Sequence, residues 1–219
     1  MTRTVHVVTP FRRTENLYAL VEHLEPLGVI WHPITDNHAL RLKLDWVQPL
    51  DVGTVRDGYL GFSDKINRFA SSDYVVDGDC YGILNDDDFY GPGVIEAIKA
   101  MNDPVVVVSM LRGQHTPPTG YRHPTFELVA ARKNMRSGWC GVEQYFVTGE
   151  VFRRFRFSDD IDADGRIAAW LASEYPSIRF EPELHVWFNY LEPGRWDKVT
   201  HGSNSNLDNV AARSIAQPA

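Results

Sequence analysis

Three adjacent carboxylates are the residues in this sequence best suited to chemistry. Asn85-Asp86-Asp87-Asp88-Phe89 follows the apolar stretch Tyr81-Gly82-Ile83-Leu84 and precedes a helical pattern. Like charges this close repel one another, so the cluster is costly unless a cation neutralises it. Hard divalent ions such as Mg2+ and Mn2+ take oxygen ligands, commonly one or two carboxylates together with substrate phosphates. Asp86 and Asp88 stand two apart, a spacing that lets both side chains point to one side of an extended turn. The same tripeptide also reads as a solvated acidic turn ahead of the helix near Gly91.

Two further clusters carry charge. Asp159-Asp160-Ile161-Asp162-Ala163-Asp164-Gly165 matches the start of an EF-hand-like calcium loop from Asp160, but Leu171 stands where a bidentate Glu belongs. The run also reads as an acidic N-terminus favouring the dipole of a helix over 166–175. Phe152-Arg153-Arg154-Phe155-Arg156-Phe157 interleaves arginine with aromatics. Such a patch stacks on a sugar or base and meets phosphate, or is a core-facing aromatic stripe with solvated arginines.

The elements that must position these groups read as alternating strands and helices. Residues 4–8 form a short buried strand broken at Thr9-Pro10. Leu17, Leu20, Val21 and Leu24 then fall on one helical face, with Thr14 as N-cap. Residues 29–34 form a second strand ending at Thr35-Asp36. Strand, helix and strand in this order make a βαβ unit, whose ligands bind beyond the carboxyl ends of the strands. Thr9, Pro10 and Asp36 lie at that edge. Further along, 63–70 reads as a short helix, 73–76 and 81–84 as strands, and 91–101 as a helix. Residues 104–111 form a strand buried on both faces, 112–124 a long loop, and 127–131 another strand. Residues 141–154 mix a glycine-bearing segment with a helical turn, 178–190 are extended, and the polar tail after Trp196 is a mobile arm or flap. The pattern predicts a mostly parallel α/β sheet flanked by helices in one domain.

Composition agrees with a folded enzyme-like domain: 219 residues, 43% hydrophobic and 23% charged. The formal charge of −7 disfavours a general polyanion binder. No apolar run is long enough to span a membrane. The start of the chain shows no signal-peptide pattern, so a cytoplasmic location is the expectation. Cys80 and Cys140 form no CxxC pair and read as buried thiols in a reducing compartment.

Taken in order, residues 9–17 (Thr9-Pro10-Phe11-Arg12-Arg13 onward), Asp64-Lys65-Ile66-Asn67 and residues 81–89 resemble the successive donor-site segments of GT-A glycosyltransferases, especially family 2. The resemblance implies a GT-A, Rossmann-like fold, with 1–111 as the nucleotide-sugar donor half and 112–219 as the acceptor half and tail. It implies that Thr9, Pro10 and Asp36 contact the nucleotide and that Lys65 approaches the donor. Asp86 and Asp87 would lie at the donor, with Asp88 as the direct ligand of Mn2+ or Mg2+ beside Asp86. Residues 159–166 resemble the family's acidic segment, in which a carboxylate takes the proton of the acceptor hydroxyl. Asp160 is then the general base and Asp159 its reserve, although Ala163 replaces the usual Leu. Residues 139–149 are similar to the acceptor segment, which assigns Trp139, Gly141 and Glu143 to the acceptor, with Arg153 beyond them. His185 lies where many such enzymes place a third metal ligand, and neutral imidazole suits Mn2+. Residues 192–196 resemble a motif of processive members with Glu192 in place of Gln.

The leading expectation is a metal-dependent, inverting glycosyltransferase. Its donor is a nucleotide-diphosphate sugar, with a uridine-diphosphate sugar as first candidate. The acceptor hydroxyl belongs to a glycan, a small molecule or, as a minor possibility, a modified nucleic acid. A retaining enzyme on the same fold, a nucleotidyltransferase, and a non-catalytic sugar-binding domain stand as alternatives, because fold does not settle chemistry.

Overall fold

The computed structural model describes residues 3–36, 44–55, 58–112, 132–136, 140–158 and 162–188. These form an α/β domain around one mixed, mostly parallel eight-stranded sheet. The strands are β1 (Val5–Pro10), β2 (Ile30–Thr35), β3 (Leu50–Asp51), β4 (Cys80–Ile83), β5 (Phe89–Tyr90), β6 (Val105–Arg112), β7 (Tyr145–Thr148) and β8 (Arg179–Phe188). Their spatial order is β3-β2-β1-β4-β7-β6-β8-β5. Strands β3, β2, β1 and β4 run parallel to one another, as do β6 and β8. β7 lies antiparallel to both β4 and β6, and β5 antiparallel to β8.

Alternation along the strands assigns the two faces. Val5 and Val7 of β1 and Val106 and Val108 of β6 join one core. There they meet α1 (Leu17–Leu24) through Ala19, Leu20 and Leu24, and α3 (Val94–Ala100) through Val94, Ile95 and Ile98. Val8, Tyr81, Val105, Val107 and Tyr145 point the other way. They meet α2 (Gly58–Ala70) through Ile66, Phe69 and Ala70, and α5 (Ala163–Glu174) through Ile167, Ala168 and Leu171. A short α4 (Gly149–Phe152) follows β7. Burial on both faces is why β1 and β6 read as nearly continuous apolar runs. Gly82 gives its side-chain space to the ring of Phe146 and the hydroxyl of Tyr90, since a Cβ there would lie 2.7 Å from each.

Several sequence expectations need correction. Residues 73–76 form a turn, not a strand: the Tyr81 hydroxyl accepts the Val76 N–H at 2.7 Å and donates to the Tyr74 carbonyl at 3.0 Å. The helix expected over 63–70 begins at Gly58. The helical turn expected within 141–154 is present as Gly149–Phe152, but the same segment also holds β7, whose antiparallel pairing splits the sheet. β8 is extended as expected, but residues 182–184 bulge from its pairing with β6, where Pro182 has no N–H to donate. The expected 127–131 strand, most of the 112–124 loop and the 192–196 motif lie outside the described residues.

At the amino end of β1, the buried His6 and His32 make a polar chain with Asp79. His6 Nε2 lies 3.1 Å from Asp79 Oδ2, and His6 Nδ1 lies 2.8 Å from His32 Nε2. With Asp79 accepting from Nε2–H, a neutral His6 accepts at Nδ1 from His32 Nε2–H, and burial lowers the basicity of both rings. Burial, with the adjacent His6 adding to it, pushes His32 down to about 3. An unfolded imidazole protonates near 6.5 while the folded one does not, so stability falls as pH drops below that value. We expect His32 to contribute a loss of ~1.4 kcal/mol per pH unit between pH 6.5 and about 4. His32→Gln keeps a donor for His6 and should reduce that slope in denaturant unfolding measured across this range. An unchanged slope would contradict a buried neutral His32.

Candidate functional site

Chain order runs from β1 outward through β2 and β3, then crosses back to β4 on the other side of β1. Succession therefore reverses between β1 and β4, and the carboxyl ends of these strands flank the crevice where open parallel sheets bind ligands. The turn after β1 carries Phe11, Arg12 and Arg13, Asp36 directly follows β2, and β4 leads into the acidic turn. Main-chain bonds continue the ladders past the strand ends, from Phe11 N–H to the Ile34 carbonyl at 2.9 Å and from Leu84 N–H to the Val8 carbonyl at 3.0 Å.

Asp86 closes the crevice at its base. Its Oδ2 accepts the main-chain N–H groups of Arg12 at 2.6 Å and Arg13 at 2.7 Å. Its Oδ1 accepts from the Arg13 guanidinium, which also lies 3.4 Å from Asp87 Oδ1. The buried Asn16 side chain donates to the Asp86 carbonyl at 2.8 Å. Two consecutive N–H groups converging on one carboxylate form the concave donor pair that turns present to anions. The side chain expected to face ribose and metal is thus engaged by the β1–α1 turn. Asp86, Asp87 and Asp88 are all buried, which overturns the reading of a solvated acidic turn.

Lys65 joins the other two strand ends. Its ammonium donates to the Phe11 carbonyl at 2.7 Å and pairs with Asp36 Oδ1 at 3.3 Å. The residue is 2% exposed, so this is not a surface lysine of α2. Burial lowers its basicity, while the Asp36 charge opposes that shift. Asp36 itself keeps 43% of its side chain open to solvent. Thr9 is buried, and its hydroxyl accepts the Trp31 indole N–H at 2.9 Å. Pro10 is buried at the end of β1.

Glu143 approaches from the far half of the chain. It sits in the 3-10 turn Val142–Gln144 ahead of β7, is 3% exposed, and accepts a hydrogen bond from the Asn85 amide. Gly141 makes this possible: a Cβ there would lie 2.3 Å from Glu143 Oε2 and 2.7 Å from Met110 Cε. Gln144 fastens the turn, accepting Gly141 N–H at 3.0 Å and donating to the Val108 carbonyl at 2.9 Å. Burial raises the Tyr90 hydroxyl well above its ordinary range, and the charges of Glu143 and Asp88 push the same way. Burial does likewise at Tyr145, where Asp164 and Glu143 add to the effect. The acidic turn and Glu143 thus belong to one buried region.

His185 sits opposite Gly91, its carbonyl accepting the Gly91 N–H at 2.8 Å, three positions beyond Asp88 along that edge. Among the described residues, no group of three His, Cys, Asp or Glu side chains stands together to hold a metal ion. Arg153 braces the 72–77 turn through Asp77 at 3.1 Å and the Ser72 and Val75 carbonyls. Phe152, Phe155 and Phe157 are core residues, and Arg154 pairs with Glu174 at 2.9 Å over the Trp170 ring. That patch is the aromatic stripe, not a ligand platform. Residues 163–171 are helical, which rules out the calcium-loop reading, and Asp164 lies in the helix's first turn. Trp139, Asp159 and Asp160 lie outside the described residues.

Sequence reading missed Arg12, Arg13, Asn16 and Asn85. The available signal was a pair of arginines one residue beyond a strand-breaking proline; pairing them with an aspartate 73 and 74 positions away required the topology. No protein-family model matches the chain, and no curated protein matches it in sequence. No helix among the described residues is long and apolar enough to cross a membrane.

Removing a buried carboxylate that holds two main-chain N–H groups and a guanidinium strands all three donors. Asp86→Ala should cost on the order of 3 kcal/mol in denaturant unfolding. A loss below about 0.5 kcal/mol, the size of an ordinary surface change, would show that the clasp does not hold the turn.

Proposed function

We propose that the protein is a glycosyltransferase of the GT-A type that moves a sugar from a nucleotide-diphosphate donor to an acceptor hydroxyl. The observation that carries this reading is the position of the acidic turn. Asp86–Asp88 stand at the reversal point between β1 and β4, fastened to the β1–α1 turn and, through Phe11 and Lys65, connected to Asp36 at the end of β2. A nucleotide laid across this edge meets Asp36 at one end and the buried acids at the other. That order suits base, then ribose, then diphosphate.

Asp87 and Asp88 offer hard oxygen donors of the kind Mg2+ or Mn2+ prefers. One or two carboxylates suffice when diphosphate oxygens complete the shell. Such an ion would neutralise charge on the leaving diphosphate. Asp86, already engaged by the turn, positions Asp87 and Asp88, and Lys65 does the same for the edge from beneath. Glu143, tied to Asn85, stands on the acceptor side. Asp160, with Asp159 in reserve, is the proposed base that takes the hydroxyl proton during inversion.

Calorimetric titration with a panel of nucleoside diphosphates, with and without Mn2+, tests the reading. Binding strengthened by Mn2+ is the expected result, with uridine diphosphate tightest. In a transfer assay, Asp88→Asn should lower kcat/KM by about 100-fold, the usual scale for losing one charge-stabilising group. The proposal fails if no nucleoside diphosphate binds under either condition.

A further inference from the structure

Arg13 reaches the acidic turn from the solvent side. Its side chain is 34% exposed, while those of Asp86 and Asp87, which it contacts, are 3% and 7% exposed. A guanidinium does not lose its proton in proteins, so a permanent positive charge stands where a divalent ion would approach these two acids. Lone pairs holding a guanidinium are not open to a metal. An ion entering here must displace Arg13 or be repelled by it. The Oδ2 oxygen of Asp86 is engaged separately, by the two main-chain N–H groups. Departure of the guanidinium therefore leaves the turn fastened.

We infer that Arg13 is the resident counter-cation of the acidic turn, holding down its affinity for free divalent ions and moving onto the donor's diphosphate when nucleotide and ion arrive together. The inference rests on the donor-site reading above and adds a role for a residue outside the resemblance's assigned set. The chemistry of the exchange is balanced in charge. Diphosphate oxygens replace the two carboxylates as partners of the planar guanidinium fork, which matches phosphate well. The carboxylate charge that Arg13 releases then attracts the ion, and the same diphosphate supplies its remaining oxygen ligands. Ion and nucleotide binding thus become coupled, each strengthening the other.

Calorimetric titration of wild type, Arg13→Gln and Arg13→Lys tests this, using Mn2+ alone and uridine diphosphate with and without Mn2+. Arg13→Gln, which keeps a donor for Asp86 but loses the charge, should bind Mn2+ alone ~10-fold more tightly than wild type. It should also bind the nucleotide with Mn2+ ~10-fold more weakly. Arg13→Lys keeps the charge but not the fork, so it should match wild type for Mn2+ alone and still lose nucleotide affinity. Mn2+ affinity in Arg13→Gln equal to or below that of wild type, including no binding by either, overturns the inference. Should Arg13→Gln fail to fold, Arg13→Lys decides: tighter Mn2+ binding or undiminished nucleotide binding overturns it. Wild type that binds nucleotide while Arg13→Gln shows no gain for Mn2+ refutes the counter-cation role alone. Wild type that binds no nucleoside diphosphate of any base refutes the donor site itself.

Discussion

The buried carboxylate of Asp86, receiving two main-chain N–H groups and a guanidinium, is the interaction on which the candidate site depends. It solves an electrostatic problem of the fold. β4 leads into three consecutive aspartates that are buried. Burying unpaired carboxylates is prohibitive, so at least one must find donors within the protein. The β1–α1 turn supplies them, and in doing so it fixes the two strand ends across the reversal point. Lys65 extends the same logic to β2, exchanging water for a backbone carbonyl and the Asp36 carboxylate.

This arrangement separates two roles that a run of aspartates conceals. One acid is spent on architecture, and its neighbours are positioned by it. The sheet provides rigidity because β1 and β6 are buried on both faces, packed between α1 and α3 on one side and α2 and α5 on the other. The antiparallel β7 then delivers Glu143 to the same edge from the second half of the chain, through a turn in which a Cβ at position 141 would crowd the Glu143 carboxylate. A site built on strand ends and short turns is stiffer than one built on long loops.

Much of the scaffold was legible in the sequence because its signals are local. Short apolar runs revealed β1, β2, β4 and β6, the 3.6-residue period revealed α1, and helical patterns over 91–101 and 166–175 anticipated α3 and α5. The order of strands and helices along the chain is enough to place Thr9, Pro10, Asp36 and the acidic turn at one edge. What local pattern could not show were pairings across long separations. Arg13 and Asn16 on Asp86, Asn85 on Glu143, and Lys65 beneath β1 depend on which strands become neighbours. The short β7 was hidden for a related reason: Tyr145–Thr148 is too brief to show a period, and its direction is set by partners far away in sequence. The arginine-aromatic run at 152–157 stayed open between two readings in the sequence, since its spacing fits a core stripe as well as a binding patch.

The account turns on whether the crevice between β1 and β4 receives a metal-bound diphosphate. A crystal structure of the protein grown with uridine diphosphate and Mn2+ measures this directly. The account predicts the ion within bonding distance of Asp88, the diphosphate beside Arg13, and the base at Asp36. A nucleotide bound elsewhere on the molecule, with Asp86–Asp88 and Arg13 undisturbed, would contradict it.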